Sequence, residues 1–274
     1  MNKNIVPIEA RPGDGRRAHL PHPLFQSAVF LCTRSREPDE YRKRSMVRTF
    51  KNIFGDVVTI RSSRTLLACP DMGVFLATVA LIQKHGFSEL IDSATGETTH
   101  RVRSVFPISE LYDLTGMGRS SARERLLTSL EVLGSVTLSV RYAQTEKNLV
   151  RHRNFRSFEM SSWWDVIIVP RRGRAGSLVE LYPSHYLIPT EKNLWADAEL
   201  CNKIKNDTAR SIFWNLIARQ HYKGGVEQWR NLLGSQSQSL RKWEVNCLCP
   251  ALDELAVHGY IVSNEGKIYT VKRP

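Results

Sequence analysis

Apolar residues recur at intervals of three and four along several segments of the chain, which is the spacing of an amphipathic helix. Serine or aspartate precedes most of these segments and glycine follows most of them, as is usual at helix ends. The predicted helices run from Asp71 to Gly86, from Ser109 to Gly116, from Ser120 to Gly134, from Asp207 to Ile217, from Val226 to Gly234 and from Ser239 to His258. Pro250 lies inside the last of them, and we expect a kink there because proline lacks the donor of a helical hydrogen bond.

Between these helices, short runs of β-branched and other apolar residues predict strands. The expected strands are Val57 to Arg61, Val102 to Phe106, Val136 to Tyr142, Phe155 to Met160, Val166 to Val169, Leu178 to Tyr182, Tyr260 to Val262 and Lys267 to Val271. Residues 1–19 are instead polar and rich in arginine, proline and glycine, so we expect them to form a flexible basic arm.

One succession of elements occurs twice: a short helix, a turn, a second helix and a hairpin. The apolar positions of the two short helices correspond in order, with Ile108, Leu111, Leu114 and Gly116 in the first copy and Val226, Trp229, Leu232 and Gly234 in the second. The order is typical of a winged helix-turn-helix, and its recurrence indicates a tandem repeat. We therefore predict an α+β protein with two tandem winged helix-turn-helix domains: the arm at residues 1–19, an N-terminal domain at 20–192 and a C-terminal domain at 193–274.

The charge of the chain indicates the kind of partner. Its 274 residues include 39 lysines and arginines against 27 acidic residues, for a net charge of +12. Such a surplus favours nucleic acid or an anionic membrane surface. The longest apolar run, Met72 to Ile82, is too short to span a membrane. With no apolar N-terminal stretch and an odd number of cysteines, the sequence favours a cytoplasmic protein that binds DNA or RNA.

Signatures of catalytic and metal sites are missing from the sequence. Gly266-Lys267 lacks the upstream glycine and the hydroxyl residue of a phosphate-binding loop, which argues against ATP hydrolysis. No two histidines lie two residues apart, so the His-x-His metal site of rolling-circle nicking is not expected. Cys247 and Cys249 are the only close cysteine pair, and Zn²⁺ needs wider spacing and a second pair. We expect no catalytic residues, no metal and no cofactor, and therefore a binding protein that is not an enzyme.

Four stretches, in the same order between residues 24 and 262, resemble plasmid replication initiators of the TrfA type. They are Leu24–Phe30, Phe106–Leu114, Asn206–Arg210 and Ser239–Trp243. The resemblance implies two winged-helix domains that bind direct repeats (iterons) in a plasmid origin, help to open it and recruit the host helicase and initiator proteins. It also implies a homodimer off DNA. The short N-terminal arm and Pro250 depart from the pattern of that family.

In the second domain, the side chains expected to contact DNA lie at the start and on the outer face of the long helix. A helical wheel places four side chains inward and two outward: Leu240, Cys247, Ala251 and Leu255 inward, Lys242 and Asn246 outward. Asparagine can pair with adenine, and lysine can reach guanine or a phosphate. We expect Ser237, Ser239 and Arg241 on phosphates. The alternative is that Lys242 and Asn246 form an ordinary solvated face.

In the first domain, the corresponding candidates are Arg119, Ser120, Ser121, Arg123 and Arg125. The start of this helix is similar to that of many winged-helix recognition helices, although in some relatives this domain carries the dimer interface. The wing candidates, which would contact the DNA backbone, are Arg151, Arg153, Arg171, Arg172 and Arg174. A solvated run of charge is the alternative for these loops. Trp163 and Trp164 can stack on bases but are more typical of a core.

Three functions remain open at this point. The first is a replication initiator that binds double-stranded origin DNA. The second is a winged-helix transcriptional regulator, such as a repressor of its own gene, which needs the same DNA surface. The third, an adaptor whose winged helices bind proteins, is disfavoured by the net charge of +12.

Overall fold

The chain folds into helices and small sheets. The computed structural model describes residues 4–8, 14–20, 30, 47–51, 56–62, 69–91, 98–117, 120–141, 157–160, 163–169, 177–184, 187–188, 194–235 and 237–274. Two compact units are present: unit 1 consists of Met1–Pro21, Gly73–Val136 and Met160–Asn202, and unit 2 of His22–Met72, Thr137–Glu159 and Lys203–Pro274. The predicted α+β class is confirmed.

Most of the described strands and helices are short. The strands are β1 (Asn4–Ile8), β2 (Arg17–Leu20), β3 (Val47–Lys51), β4 (Val57–Ser62), β5 (Phe87–Ile91), β6 (Thr98–Pro107), β7 (Val136–Arg141), β8 (Ser157–Met160), β9 (Trp164–Val169), β10 (Leu178–Pro183), β11 (Leu194–Asp197), β12 (His221–Gly225), β13 (Ile261–Glu265) and β14 (Ile268–Lys272). The helices are α1 (Cys69–His85), α2 (Ile108–Thr115), α3 (Ser120–Gly134), α4 (Ala198–Lys203), α5 (Asp207–Ile217), α6 (Val226–Leu232), α7 (Leu240–Trp243) and α8 (Cys249–Val257). A π-helical turn, Glu244–Leu248, joins α7 to α8. We call it the π-turn, and residues 240–257 together the long helix.

Unit 1 is built around a five-stranded sheet in the order β1-β5-β6-β10-β9, with β2 and β11 paired separately. Trp163 and Trp164 are fully buried. The ring of Phe75 on α1 lies 4.1 Å from that of Trp163 and 5.8 Å from that of Trp164, centroid to centroid. The indole N–H of Trp164 donates to the carbonyl of Leu130 at 3.1 Å, which satisfies a polar group that burial would otherwise strand. The tryptophan pair therefore belongs to the core.

Unit 2 contains a four-stranded sheet, β3-β4-β7-β8, and a three-stranded antiparallel sheet, β12-β14-β13. Its helices supply large side chains to one buried cluster: Trp214, Trp229, Trp243, Leu248 and Leu255. The indole N–H of Trp229 donates to the carbonyl of Tyr269, so the short helix α6 is held on the middle strand. Glu254 accepts hydrogen bonds from the backbone N–H groups of Lys205 and Asn206, which holds the long helix on the start of α5.

The two units share one arrangement of helices and strands. In unit 2 the order is α5, β12, α6, long helix, β13, β14; in unit 1 it is α1, β6, α2, α3, β9, β10, with β5 added before β6. The corresponding sheets, β6-β10-β9 and β12-β14-β13, both place the last strand in the middle. Pro107 pairs with Leu178, and Gly225 pairs with Ile268, each directly before its short helix. The repeat is therefore present in topology and in register.

The two short helices also end in the same way. Gly116 and Gly234 adopt the left-handed conformation, with φ of 67° and 63°. After the first glycine, the N–H of Met117 donates to the carbonyl of Tyr112, and after the second, the N–H of Ser235 donates to that of Arg230, both at 3.1 Å. This is the Schellman arrangement, in which glycine avoids the steric cost of a positive φ. The glycine stop signals are thus confirmed in both copies.

Several predictions of local structure are wrong, and the cause is pairing between distant segments. Within the expected flexible arm at 1–19, β1 pairs with β5, and β2 pairs with β11. The compact units are assembled from alternating segments and so differ from the contiguous domains at 20–192 and 193–274, whose bounds stay a prediction. Ser109 is not an N-cap, because β6 runs directly into α2 and Pro107 occupies that position. The strand β12, with the sequence HYKGG, has no alternating pattern and owes its conformation to β14.

Candidate nucleic-acid interface

The long helix of unit 2 buries one face and exposes the other. Its buried side chains are Trp243, Cys247, Leu248, Ala251, Leu252 and Leu255. The inward placement predicted for Cys247, Ala251 and Leu255 is confirmed, but Leu240 is 37% exposed because Trp243 fills the core position of the first turn. The exposed side chains between Ser239 and Asn246 are Ser239, Leu240, Arg241, Lys242, Val245 and Asn246.

The long helix has a widened turn directly before Pro250, and the kink expected at this proline stays a prediction. The N–H of Cys249 donates to the carbonyl of Glu244, five residues back, and Pro250 follows in the first turn of α8, where the missing donor costs little. Trp243 and Leu248 are both buried although they are five residues apart. In an uninterrupted α-helix their directions would differ by about 140°. The π-turn therefore keeps the core face continuous across the proline.

Ser239 begins the long helix as its N-cap. Its hydroxyl accepts the N–H of Lys242 at 3.3 Å. Ser237 lies just before it, and its hydroxyl donates to the carbonyl of Ser239 at 3.4 Å. The guanidinium of Arg230 donates to the carbonyl of Ser237 at 3.1 Å, so the turn that leads into the helix is held by side chains. Both serines predicted on phosphates thus have an internal partner, and the hydroxyl hydrogen of Ser239 is left to donate.

The charged and amide side chains of the outer face differ from these two serines in their contacts. Arg241, Lys242 and Asn246 are exposed, and no side-chain hydrogen bond or ion pair joins them to another described residue. Lysine and arginine without an internal partner keep their full charge available to an external anion. The structure thus brings these three predicted residues together on one face of one helix.

Tyr269 of β14 connects the sheet of unit 2 to the π-turn. Its hydroxyl donates to Oε1 of Glu244 at 2.6 Å and lies 3.7 Å from Sγ of Cys249. The hydrogen bond to Glu244, reinforced by burial, raises the pKa of Tyr269 far above its usual value. The hydroxyl therefore remains a donor across the physiological range, and it fixes the orientation of the turn that carries Val245 and Asn246.

The hairpin of unit 2 presents a lysine that sequence reasoning did not single out. Gly266 and Lys267 form its two-residue turn, and both have positive φ, 59° and 71°. The N–H of Lys267 donates to Oδ1 of Asn264 at 3.2 Å, while its side chain is exposed. A lysine in this backbone region is uncommon and strained. The Asn-Glu-Gly sequence before Lys267 is typical of a tight turn and could have indicated that this lysine lies at the tip of the hairpin.

In unit 1 the helix α3 corresponds to the long helix. Arg125 is exposed on it, but Glu124 and Glu131 are exposed on the same helix, so its outer face mixes both charges. The backbone of Ser120, Ser121 and Arg123 lies in the first turn, and Arg119 falls outside the described residues.

The predicted wing residues of the first domain also fall outside the described residues: Arg151, Arg153, Arg171, Arg172 and Arg174. In the sequence, Arg171, Arg172 and Arg174 come between Val169, the last residue of β9, and Leu178, the first residue of β10. These two residues pair with each other. Glu265 and Ile268 form the corresponding pair in unit 2. The hairpin that completes the arrangement of unit 1 is therefore β9–β10. The predicted strands on either side of the other wing candidates, Arg151 and Arg153, are β7 and β8, which belong to a different sheet.

Neither a metal-binding cluster nor a membrane-spanning helix is found in the described part of the chain. It contains no group of three or more histidine, cysteine, aspartate or glutamate side chains arranged to hold a metal ion. Among the same residues, every helix is too short or too polar to cross a lipid bilayer.

Comparison with known proteins identifies a shared fold. No family model and no curated protein matches the sequence. A crystal structure of domains 2 and 3 of RctB, a replication initiator from Vibrio, matches 92% of this chain and 96% of its own, with a TM-score of 0.56 and 14% identity. A second structure of these RctB domains matches 89% of this chain and 94% of its own, with a TM-score of 0.53 and 15% identity. Neither is a protein of the TrfA type, so these matches do not support that family.

Proposed function

We propose that this protein is a replication initiator that binds double-stranded origin DNA through the long helix of unit 2. The observation that carries the proposal is the outer face of that helix, where Arg241, Lys242 and Asn246 are exposed and have no side-chain partner among the described residues. A helix of this kind fits the major groove, with the amide reading a base and the cations contacting bases and phosphates. The fold shared with a replication initiator supports the same choice.

The finer features of the proposal follow from the repeat. Each unit would be a winged helix-turn-helix, a proposal supported by the order of its helices and strands, with the segments after β9 and β13 as the wings. Arg171, Arg172 and Arg174 in the first wing and Lys267 in the second would contact phosphates. By its resemblance to TrfA-type initiators, the protein would bind direct repeats in a plasmid origin, help to open it and recruit the host helicase and initiator proteins in the cytoplasm. It would form homodimers off DNA. It would act by binding, without a cofactor or covalent step.

Footprinting of the full chain on DNA that flanks its gene tests the proposal. Protection of several short direct repeats, together with replication of a plasmid that carries the segment and the gene, is the expected result. Protection of one inverted repeat over a promoter, without replication, would instead assign the protein as a transcriptional regulator. A covalent link between protein and a DNA 5′ end, detected on a denaturing gel, would contradict the non-enzymatic mode.

A further inference from the structure

Val245 lies on the outer face of the long helix, among the residues proposed to contact DNA. Its side chain is 60% exposed, and Lys242 and Asn246, which flank it on that face, are exposed as well. A single exposed valine carries little information on its own, since apolar atoms are common on protein surfaces. The informative feature is the backbone that holds it there.

The π-turn fixes the direction of Val245 from two sides. On the core side, Trp243 and Leu248 are buried at either end of it, so the turn cannot rotate without withdrawing one of them. On the sheet side, the hydroxyl of Tyr269 holds Glu244, the residue just before Val245, at 2.6 Å. Turns of this kind are rare and are frequently found at functional sites. The fold therefore presents Val245 and Asn246 outward together and in a defined orientation.

We propose that Val245 contacts the C5 methyl group of a thymine in the major groove, at or beside the base pair that Asn246 contacts. The inference rests on the proposed function. Thymine is the base that presents a methyl group in the major groove, and small apolar side chains contact it there. Arg241 and Lys242, exposed and unpaired among the described residues, supply the positive charge that draws this face of the helix to the duplex. The two adjacent side chains would read a step that contains an A·T pair.

Uracil in place of thymine provides the test, because it lacks the C5 methyl group and is otherwise identical. Duplexes bound by the full chain are first selected from a pool of random sequence, and uracil then replaces thymine at one position at a time. For the wild-type protein, one such replacement should raise Kd about fourfold, the effect of losing one buried methyl group. Val245→Ala should weaken binding to the thymine duplex by a similar factor and should not respond to uracil at that position.

Two further variants make the test specific. Val257 is another exposed valine of the long helix, 84% exposed near its C-terminal end. Val257→Ala should therefore leave both Kd and the response to uracil unchanged. Asn246→Ala should lose its preference for adenine at the uracil-sensitive base pair or at the next one. Unchanged melting temperatures for the three variants would show that each measurement reports on binding.

Three outcomes would overturn the inference, and they differ from one another. If wild type and Val245→Ala respond equally to uracil at every position, Val245 does not contact a thymine methyl, although the protein binds DNA. If Val245→Ala alters sedimentation of the free protein and leaves the uracil response intact, the valine lies in a contact between copies. If no duplex is selected at all, the proposed function fails, and this inference fails with it.

Discussion

The hydroxyl of Tyr269 donates a hydrogen bond of 2.6 Å to the Oε1 atom of Glu244. The bond joins the middle strand of the unit 2 sheet to the π-turn of the long helix. The last two strands of the sheet are joined by the proposed wing, and the turn carries the proposed base-reading residues. This contact therefore helps to set the position of one relative to the other.

Removal of this hydroxyl should destabilise the protein. Tyr269→Phe leaves the partly buried Glu244 without its donor, and a hydrogen bond to a charged group contributes about 1.5–3 kcal/mol. Urea unfolding followed by tryptophan fluorescence should show a loss in that range. Tyr222→Phe, which deletes a hydroxyl from the neighbouring strand β12, is the matched control and should cost less. Equal losses for the two variants would argue against a special role for the contact with Glu244.

The same contact predicts a loss of stability at alkaline pH. The hydrogen bond to Glu244 and burial raise the pKa of Tyr269 above the ordinary value of 10.0. A tyrosine with a raised folded-state pKa contributes its full stability below pH 10 and loses it progressively above, because the unfolded chain then releases a proton that the folded chain retains. Unfolding curves between neutral pH and pH 11 should therefore decline less steeply for Tyr269→Phe than for wild type. Burial also raises the pKa of Tyr222, which leaves a residual slope in the variant. Parallel declines in the two proteins would contradict the prediction.

Lys267 should lower the stability of the fold and contribute to DNA binding. Because its φ is 71°, Lys267→Gly relieves backbone strain and should stabilise the fold by about 0.5–1 kcal/mol. If the lysine contacts a phosphate, the same change should reduce the slope of log Kd against log salt by about 0.9. Thermal unfolding and a salt titration of DNA binding measure the two effects. Lys272→Ala, which removes an exposed charge from the far end of the strand β14 that follows the turn, should change the salt slope less. A stabilised variant with wild-type salt dependence would exclude Lys267 from the interface.

Gly134 is required at the end of α3 for a reason of space. A Cβ atom at this position would lie 2.7 Å from the carbonyl oxygen of Trp164. Gly134→Ala should therefore force α3 and β9 apart and cost about 1–3 kcal/mol, which chemical denaturation can measure. At Gly225, where φ is −73° and the nearest atom to an added Cβ is 4.0 Å away, alanine should cost less. A neutral Gly134→Ala would mean that the strand yields without penalty.

The long helix and the wings should contribute differently to DNA binding. Lys242→Ala combined with Asn246→Ala should lower discrimination between sequences by about 1–3 kcal/mol for each lost bidentate contact. Alanine at Arg171, Arg172 and Arg174 together should weaken binding to all sequences alike and reduce its salt dependence. Competition binding with specific and random duplexes separates the two effects. If the triple variant loses specificity while the helix variant retains it, the two roles are reversed.

Local patterns in the sequence were sufficient for most of the helices and for the repeat, although they did not predict α4 (Ala198–Lys203). The spacing of Ile108, Leu111 and Leu114 recurs at Val226, Trp229 and Leu232, and the glycine after each helix adopts the left-handed conformation that ends it. A helix forms its hydrogen bonds within itself, so neighbouring residues alone contain the necessary information. The outward direction of Lys242 and Asn246 followed from the same periodicity.

The tertiary structure decided whatever depends on distant partners. Residues 4–8 form a strand because β5 pairs with them, and β9–β10, rather than β7–β8, completes unit 1 because β10 pairs with β6. Strand pairing joins segments far apart in the chain, and no local pattern specifies the partner. The π-turn depends likewise on Trp243 and Leu248 entering one core and on Tyr269 reaching Glu244. The sequence by itself therefore determined most of the helices, their repetition and the basic surface, while packing and strand pairing decided which residues stand together at the proposed interface.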